Sequence, residues 1–255
     1  MLLTLFIIST VTFFMMHLIP GDPLGAMANK LPEQAKANYY AKYGLDKPLF
    51  EQYTIFLKQL ITEGDLGESL KYPGKSVTET LLTNSKVSGV NGAIALTFGV
   101  STGIIMGIIA ALNKNKWPDY LLTFIAMMGI TIPACVLASM FQYLFSVKWQ
   151  LLPTSGWGEP KYMILPIMTM CIGGQATYVR YIKANMLEVM GQDYIMTAEA
   201  KGVDRFHVIK DHVMKNAFLP CITILVGQIS GIFTGSFIIE KMFGIPGLGF
   251  YYVSS

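Results

Sequence analysis

The sequence predicts an all-α protein that crosses a membrane several times. Three observations carry this reading. Hydrophobic residues make up 53% of the 255-residue chain and charged residues only 14%, where a soluble domain carries about a quarter charged. The charges are also segregated. Met1–Gly21, Val87–Asn113, Tyr120–Val147, Tyr162–Val179 and Asn216–Ile239 contain none, over 21, 27, 28, 18 and 24 residues. A helix needs roughly 20 apolar residues to cross the bilayer core. Finally, the period-two alternation of a membrane barrel is absent, and helices are the other structure that satisfies every backbone group in lipid.

The five crossings are expected at residues 1–19, 87–113, 120–147, 162–185 and 216–240. Lysine and arginine set their direction, because short cytoplasmic loops retain excess positive charge. Lys114 and Lys116 follow the second crossing; Arg180, Lys183, Lys201, Arg205, Lys210 and Lys215 run from the last turns of the fourth to the start of the fifth. Alternation puts both groups on one side, the cytoplasmic one, together with the N-terminus. Residues 20–86 and 241–255 then fall outside. Ala26-Met27-Ala28 resembles a signal cleavage site, but no positive charge precedes the first apolar run and the run is long for a signal core. It is read as an anchor that has lost its cytoplasmic leader.

Residues 20–86 hold eight lysines balanced by eight acids and are too long for a bare loop. Leu49, Tyr53, Phe56, Leu57, Leu60 and Ile61 recur at helical spacing behind Pro48, a residue suited to a helix start. A small helical cap is expected here, after a rigid Pro20-Gly21-Asp22-Pro23 exit. In the second crossing Gly99, Gly103 and Gly107 recur every four residues, and Gly227, Gly231 and Gly235 do so in the fifth. Lipid supplies no hydrophobic drive between helices, so close backbone approach over small residues must hold them together. Both stripes are expected at helix contacts.

Residues 186–215 form the most charged piece between crossings. Asp193 is placed to cap a helix from Tyr194 through Thr197, Ala198, Glu199 and Ala200 to Lys201. Gly202 stops it, because glycine enters the left-handed conformation cheaply. About eight residues make a rod roughly 12 Å long. Asp204 is placed to cap the following helix, with Phe206, Ile209 and Val213 on one face.

Tyr194-Ile195-Met196-Thr197-Ala198-Glu199-Ala200-Lys201-Gly202, followed by Asn216-Ala217-Phe218-Leu219-Pro220, resembles the cytoplasmic loop of permease subunits of binding-protein-dependent ABC importers. The form is similar to the oligopeptide/dipeptide branch. The general signature reads Glu-Ala-Ala, three residues, then Gly; here the order is Ala-Glu-Ala and Gly202 follows Ala200 after one residue. Tyr43-Gly44-Leu45-Asp46-Lys47-Pro48, Gly64-Asp65-Leu66-Gly67, Ile130-Thr131-Ile132-Pro133 and Phe243-Gly244-Ile245-Pro246-Gly247-Leu248-Gly249 extend the resemblance, in order, over nearly the whole chain. Pro20-Gly21-Asp22-Pro23 belongs to the same set.

The resemblance implies a six-helix importer permease bundle, of which this chain holds five helices, the sixth lying beyond its end. It implies a second homologous permease, two ATPase subunits that carry ATP and magnesium, and an extracytoplasmic binding protein. No cofactor is expected on this chain itself. The implied location is a bacterial or archaeal cytoplasmic membrane. Asp193 to Gly202 would enter a groove on an ATPase. Phe243, Pro246, Gly247 and Gly249 are expected at an outer gate because their turn is stiff and stands at the mouth of the fifth crossing. Gln228, Ser230 and Ser236 are the polar residues expected along the path. Peptides are the implied cargo, with nickel chelates or other small solutes as the alternative.

Other chemistries find little footing. Gly74-Lys75-Ser76 lacks the upstream glycine of a phosphate loop, since Ser69 stands there. His207, Asp211 and His212 lack the ligand number and order of a metal site. Cys135, Cys171 and Cys221 lie singly in apolar runs, and His17 stands near the outer end of the first. No basic stripe with interleaved aromatics suggests nucleic acid. An intramembrane enzyme needs ionisable groups within the bundle and a channel needs a filter motif; neither stands out. Transport without catalysis by this chain is the expectation.

Overall fold

The computed structural model describes residues 2–18, 32–69, 71, 74–232 and 236–254. The Pro20–Pro23 exit, Ala26-Met27-Ala28 and Gly235 lie outside the described residues. Among those described there is one isolated bridge, Glu68 to Ser76, and no strand. The chain divides into two compact units, Met1–Leu82 and Thr83–Ser255.

The first unit contains α1 (Leu2–Leu18), α2 (Glu33–Tyr43) and α3 (Leu49–Lys58), which ends in a π-helical turn, Gln59–Glu63. Pro48 sits at the start of α3, where its missing N–H costs no ladder bond. The apolar face expected for α3 lies on α1. Phe13 stacks on Phe56 with centroids 5.3 Å apart, and the Tyr53 and Thr10 hydroxyls share a 2.7 Å hydrogen bond. His17 belongs to the same contact, with its Nε2 3.2 Å from Gln52 Oε1. Gly44 closes α2 at φ +63°, and the Ile55 side chain fills the place where a Cβ would stand.

The chain continues through α4 (Val77–Leu112), α5 (Trp117–Thr131), α6 (Ala134–Lys148), α7 (Pro160–Met190), α8 (Asp193–Ala200), α9 (Arg205–Ile232), α10 (Phe237–Phe243) and α11 (Leu248–Ser254). By length and apolarity α4, α7 and α9 can each cross a membrane, as can α5 and α6 taken as one bent pair. At 17 residues, α1 is a shorter apolar helix. Two expected crossings are not single rods. α5 and α6 meet at 104°, because Pro133 has no N–H and holds Ile132 extended at φ −81°, ψ 122°. In the expected fifth crossing α9 is described as far as Ile232, and α10 starts afresh at Phe237 behind an extended Ser236. α4 also begins ten residues before the expected Val87, since Val77–Lys86 continues the same helix.

α7 is the central rod of the second unit, with Leu165, Ala176, Tyr178, Val179, Ile182 and Met186 buried. α4 lies along it at glycine distance. A Cβ on Gly99, Gly103 or Gly107 would stand 3.1 Å from the Cys171 carbonyl, 2.7 Å from the Gln175 carbonyl or 2.8 Å from Ile182 Cβ. On another face Gly129 of α5 meets Ile172 in the same way. The first glycine stripe is therefore a helix contact. In the second stripe the spacing is looser at the two described positions: a Cβ on Gly227 or Gly231 would meet nothing within 4 Å. Spacing alone does not say which side of a helix its neighbours occupy.

Candidate functional site: an anchored short helix, a neutral cavity and a buried turn

α8 is eight residues long, as the sequence predicts, but its cap differs. Gln192 occupies the N-cap, and Asp193 is the first helical residue, with no side-chain cap bond at that end. Its carboxylate stands in the first turn, where the helix dipole favours negative charge. At the other end Gly202 adopts φ +79°, its amide donates to the Glu199 carbonyl at 2.9 Å, and Val203 N–H reaches Ala198 at 3.2 Å. Two side chains tie the rod to α9: the Tyr194 hydroxyl accepts from Asn216 Nδ2 at 3.2 Å, and Ile195 is buried. Ile195 is 2% exposed and packs in a cluster with Met186, Val208, Val213 and Ala217. Ala198 packs against that cluster from its edge, whereas Tyr194, Met196, Thr197, Glu199, Ala200, Lys201 and Gly202 are exposed. The site residues expected here thus form one knob with a fixed inner face and a free outer one.

α9 supports this knob. Asp204 accepts from Phe206 N–H at 3.2 Å and from the His207 ring at the same distance. Residues Val208–Val213 are π-helical. That geometry places Val208 and Val213, five residues apart, on one buried face.

Near the same end of the bundle, α5 and α7 are joined by a pair that sequence reading missed. Lys183 Nζ lies 2.5 Å from Asp119 Oδ1, with the two side chains 25% and 4% exposed. Asp119 also accepts from Thr123 at 3.1 Å and from the Asn115 amide at 3.0 Å. Both residues stand at the margins of apolar runs, where a charge reads as a loop marker. Lys183→Met leaves a buried carboxylate without its cation. It is expected to destabilise the fold by roughly 3 kcal/mol, the low end for a broken buried pair because Lys183 is partly wet. Thermal unfolding of the purified protein reads this out, and adding Asp119→Asn should restore most of the loss.

The polar residues expected along the path separate. Gln228 and Ser236 line a cavity of about 330 Å³ between α4, α7 and α9. Ser230 does not: it is exposed and bonds back to the Val226 carbonyl at 3.4 Å. Tyr178, which the sequence did not single out, donates to Gln228 Oε1 at 2.9 Å.

The segment expected at an outer gate is packed rather than open. Phe243 and Ile245 are 1% and 0% exposed, Gly247 and Gly249 are buried, and Pro246 is half-buried. Gly244 ends α10 in the left-handed region at φ +65°, with Ile245 N–H bonded to Glu240 at 2.9 Å. The buried Glu240 carboxylate then accepts from Gly249 N–H at 2.7 Å, and Ser88 of α4 accepts from Leu248 N–H at 2.9 Å. A Cβ on Gly247 would overlap Glu240 and Ser88. Gln142 donates to the Met242 and Thr154 carbonyls, tying the same turn to α6. Glu240 and Ser88 were not foreseen, because Glu240 ends a charge-free run and reads as its boundary.

Residues 103–255 match the family described as the inner membrane component of binding-protein-dependent transport systems, and residues 1–91 match its N-terminal region. The chain belongs to this family. It is accordingly a multi-pass membrane protein. It is 40% identical to the dipeptide transport system permease protein DppB of Bacillus subtilis, over 99% of this chain and 81% of that protein. It is 39% identical to the oligopeptide transport system permease proteins OppB of Haemophilus influenzae and of Escherichia coli K12, over 98% of this chain and 82% of each. The fold resembles a crystal structure of an amino acid ABC transporter, with TM-score 0.54 and 14% identity, over 69% of this chain and 78% of the other.

Proposed function

We propose that this chain is a permease subunit of an ATP-driven importer that passes peptides across the cytoplasmic membrane by alternating access. The observation that carries this is the 39–40% identity along 98–99% of the chain with dipeptide and oligopeptide permeases. The chain supplies part of the path. A second homologous permease completes it, two separate ATPases bind and hydrolyse ATP with magnesium, and an extracytoplasmic binding protein delivers the cargo. α8 faces the cytoplasm, in keeping with the lysines and arginines around it, and alternation of the crossings puts the N-terminus on the same side.

In this reading α8 transmits the ATPase stroke. A short rod fixed by Ile195 moves its own cluster when a partner displaces its free face. ATP then shifts a bistable bundle, because the two states of the bundle differ in their fit to the nucleotide-loaded ATPase. The Phe243–Gly249 turn acts as the outer gate. It opens as a body, breaking its bonds to Ser88 and Gln142. Cysteines placed at Met196 or Ala200 are expected to cross-link to an ATPase subunit in the assembled importer. Labelling of the same positions from outside intact cells by a membrane-impermeant reagent would overturn the assignment.

A further inference from the structure

The cavity between α4, α7 and α9 measures about 330 Å³, the small end of the usual ligand range of roughly 300–1,000 Å³. Gln228 and Ser236 bring polar groups to it; Met170, Gly92 and Gly174 also line it, and among the described residues no acidic or basic one does. Gln228 is oriented by the Tyr178 hydroxyl, at 2.9 Å. Tyr178 is buried against α4, where Gly103 has no side chain to displace it. A carboxamide carries two donor hydrogens and two acceptor lone pairs. With one lone pair engaged by Tyr178, two donors and one acceptor remain. A second carboxamide lies one layer back. Asn91 is 1% exposed and donates to the Met170 sulfur at 3.4 Å, and its Oδ1 has no hydrogen-bond partner among the described residues.

We infer that this cavity is a transmembrane binding site for the peptide bond itself, in which Gln228 accepts from a backbone N–H of the passing peptide and donates to a C=O. The inference rests on the peptide-transport reading. Each peptide unit offers one donor and one acceptor, the complement of what Gln228 has to give. Charged side chains and termini find no partner in the lining, and an unpaired charge away from water is costly. Recognition therefore falls on the neutral unit that all peptides share. A flexible thioether and bare glycine backbone then accommodate differing side chains, as adaptable surfaces do at permissive sites.

The test uses the importer assembled with its partner subunits in proteoliposomes. It compares uptake of alanyl-alanine with its depsipeptide analogue, in which an ester oxygen replaces the N–H. The same binding protein is used throughout, so any change between variants belongs to this chain. A site built around an N–H discriminates against an analogue lacking it, so Gln228→Met is expected to reduce the amide-over-ester preference in uptake KM by about tenfold. Tyr178→Phe, which frees the carboxamide without touching the cargo, should narrow the preference a few-fold. Ser230→Ala, away from the cavity, should leave it as in the wild type. A preference unchanged in both Gln228→Met and Tyr178→Phe overturns the inference and leaves peptide transport standing. Failure of the wild type to take up either compound defeats the proposed function instead. Where Gln228→Met does not assemble, an unchanged preference in Tyr178→Phe overturns the inference alone.

Discussion

Gly103→Val is expected to destabilise the second unit by about 3 kcal/mol, the upper part of the range for overpacking a close contact. The reason lies in what the added carbon would meet. Its nearest neighbours are the Gln175 carbonyl at 2.7 Å, Tyr178 Cβ at 2.8 Å and Gln175 Cα at 3.2 Å. Two of these are backbone atoms of a buried helix and cannot swing aside. α4 must therefore lift from α7, which also loosens Tyr178. Thermal unfolding of the detergent-purified chain measures the loss. Gly227→Val is the matched control, since a Cβ there meets nothing within 4 Å and the exchange is otherwise the same. Equal stability of the two variants would mean that the α4–α7 contact does not depend on its glycines.

The second large effect concerns transmission. Ile195→Asp is expected to uncouple the importer, lowering peptide uptake per ATP hydrolysed by at least about tenfold. A carboxylate cannot stay among Met186, Val208, Val213 and Ala217 without a partner, and the cost of leaving it there is several kcal/mol. α8 undocks instead, so its motion no longer reaches α7 and α9. Ile195→Leu keeps volume and polarity and should keep coupling. Simultaneous measurement of uptake and ATP hydrolysis in proteoliposomes decides the matter. Normal uptake by Ile195→Asp would show that the Ile195 contact is not the route.

The knob was legible in the sequence because every signal for it is local. Helix formers, a glycine stop and a following Asp204 cap occur within a dozen residues. The cap was misplaced by one residue because Asp193 is the better capping type, yet Gln192 holds the extended φ and ψ. The glycine stripes show the limit of spacing. Gly99, Gly103 and Gly107 meet α7, whereas Gly227 and Gly231 carry the same period and leave open space where a Cβ would stand. Which face is occupied is a tertiary fact.

The break at Pro133 carried a usable signal that charge counting overrode. A proline thirteen residues after Tyr120 ends a helix even in an apolar run. The Asp119–Lys183 and Glu240–Gly249 contacts join residues far enough apart in sequence, or near enough to a run's edge, that no local pattern marks them.

The turn at Pro133 changes how the longest uncharged stretch can occupy a bilayer. A straight rod of that length would be longer than the hydrocarbon is thick. Upright, the 15 residues of α5 reach roughly 22 Å into a hydrocarbon layer about 30 Å deep. α6, turned past a right angle, adds nothing to that depth. It carries Tyr143 and Trp149 exposed, ring types enriched where membranes meet water. With α5 upright, α6 lies near the membrane plane, and its uncharged length adds contact with lipid more than depth.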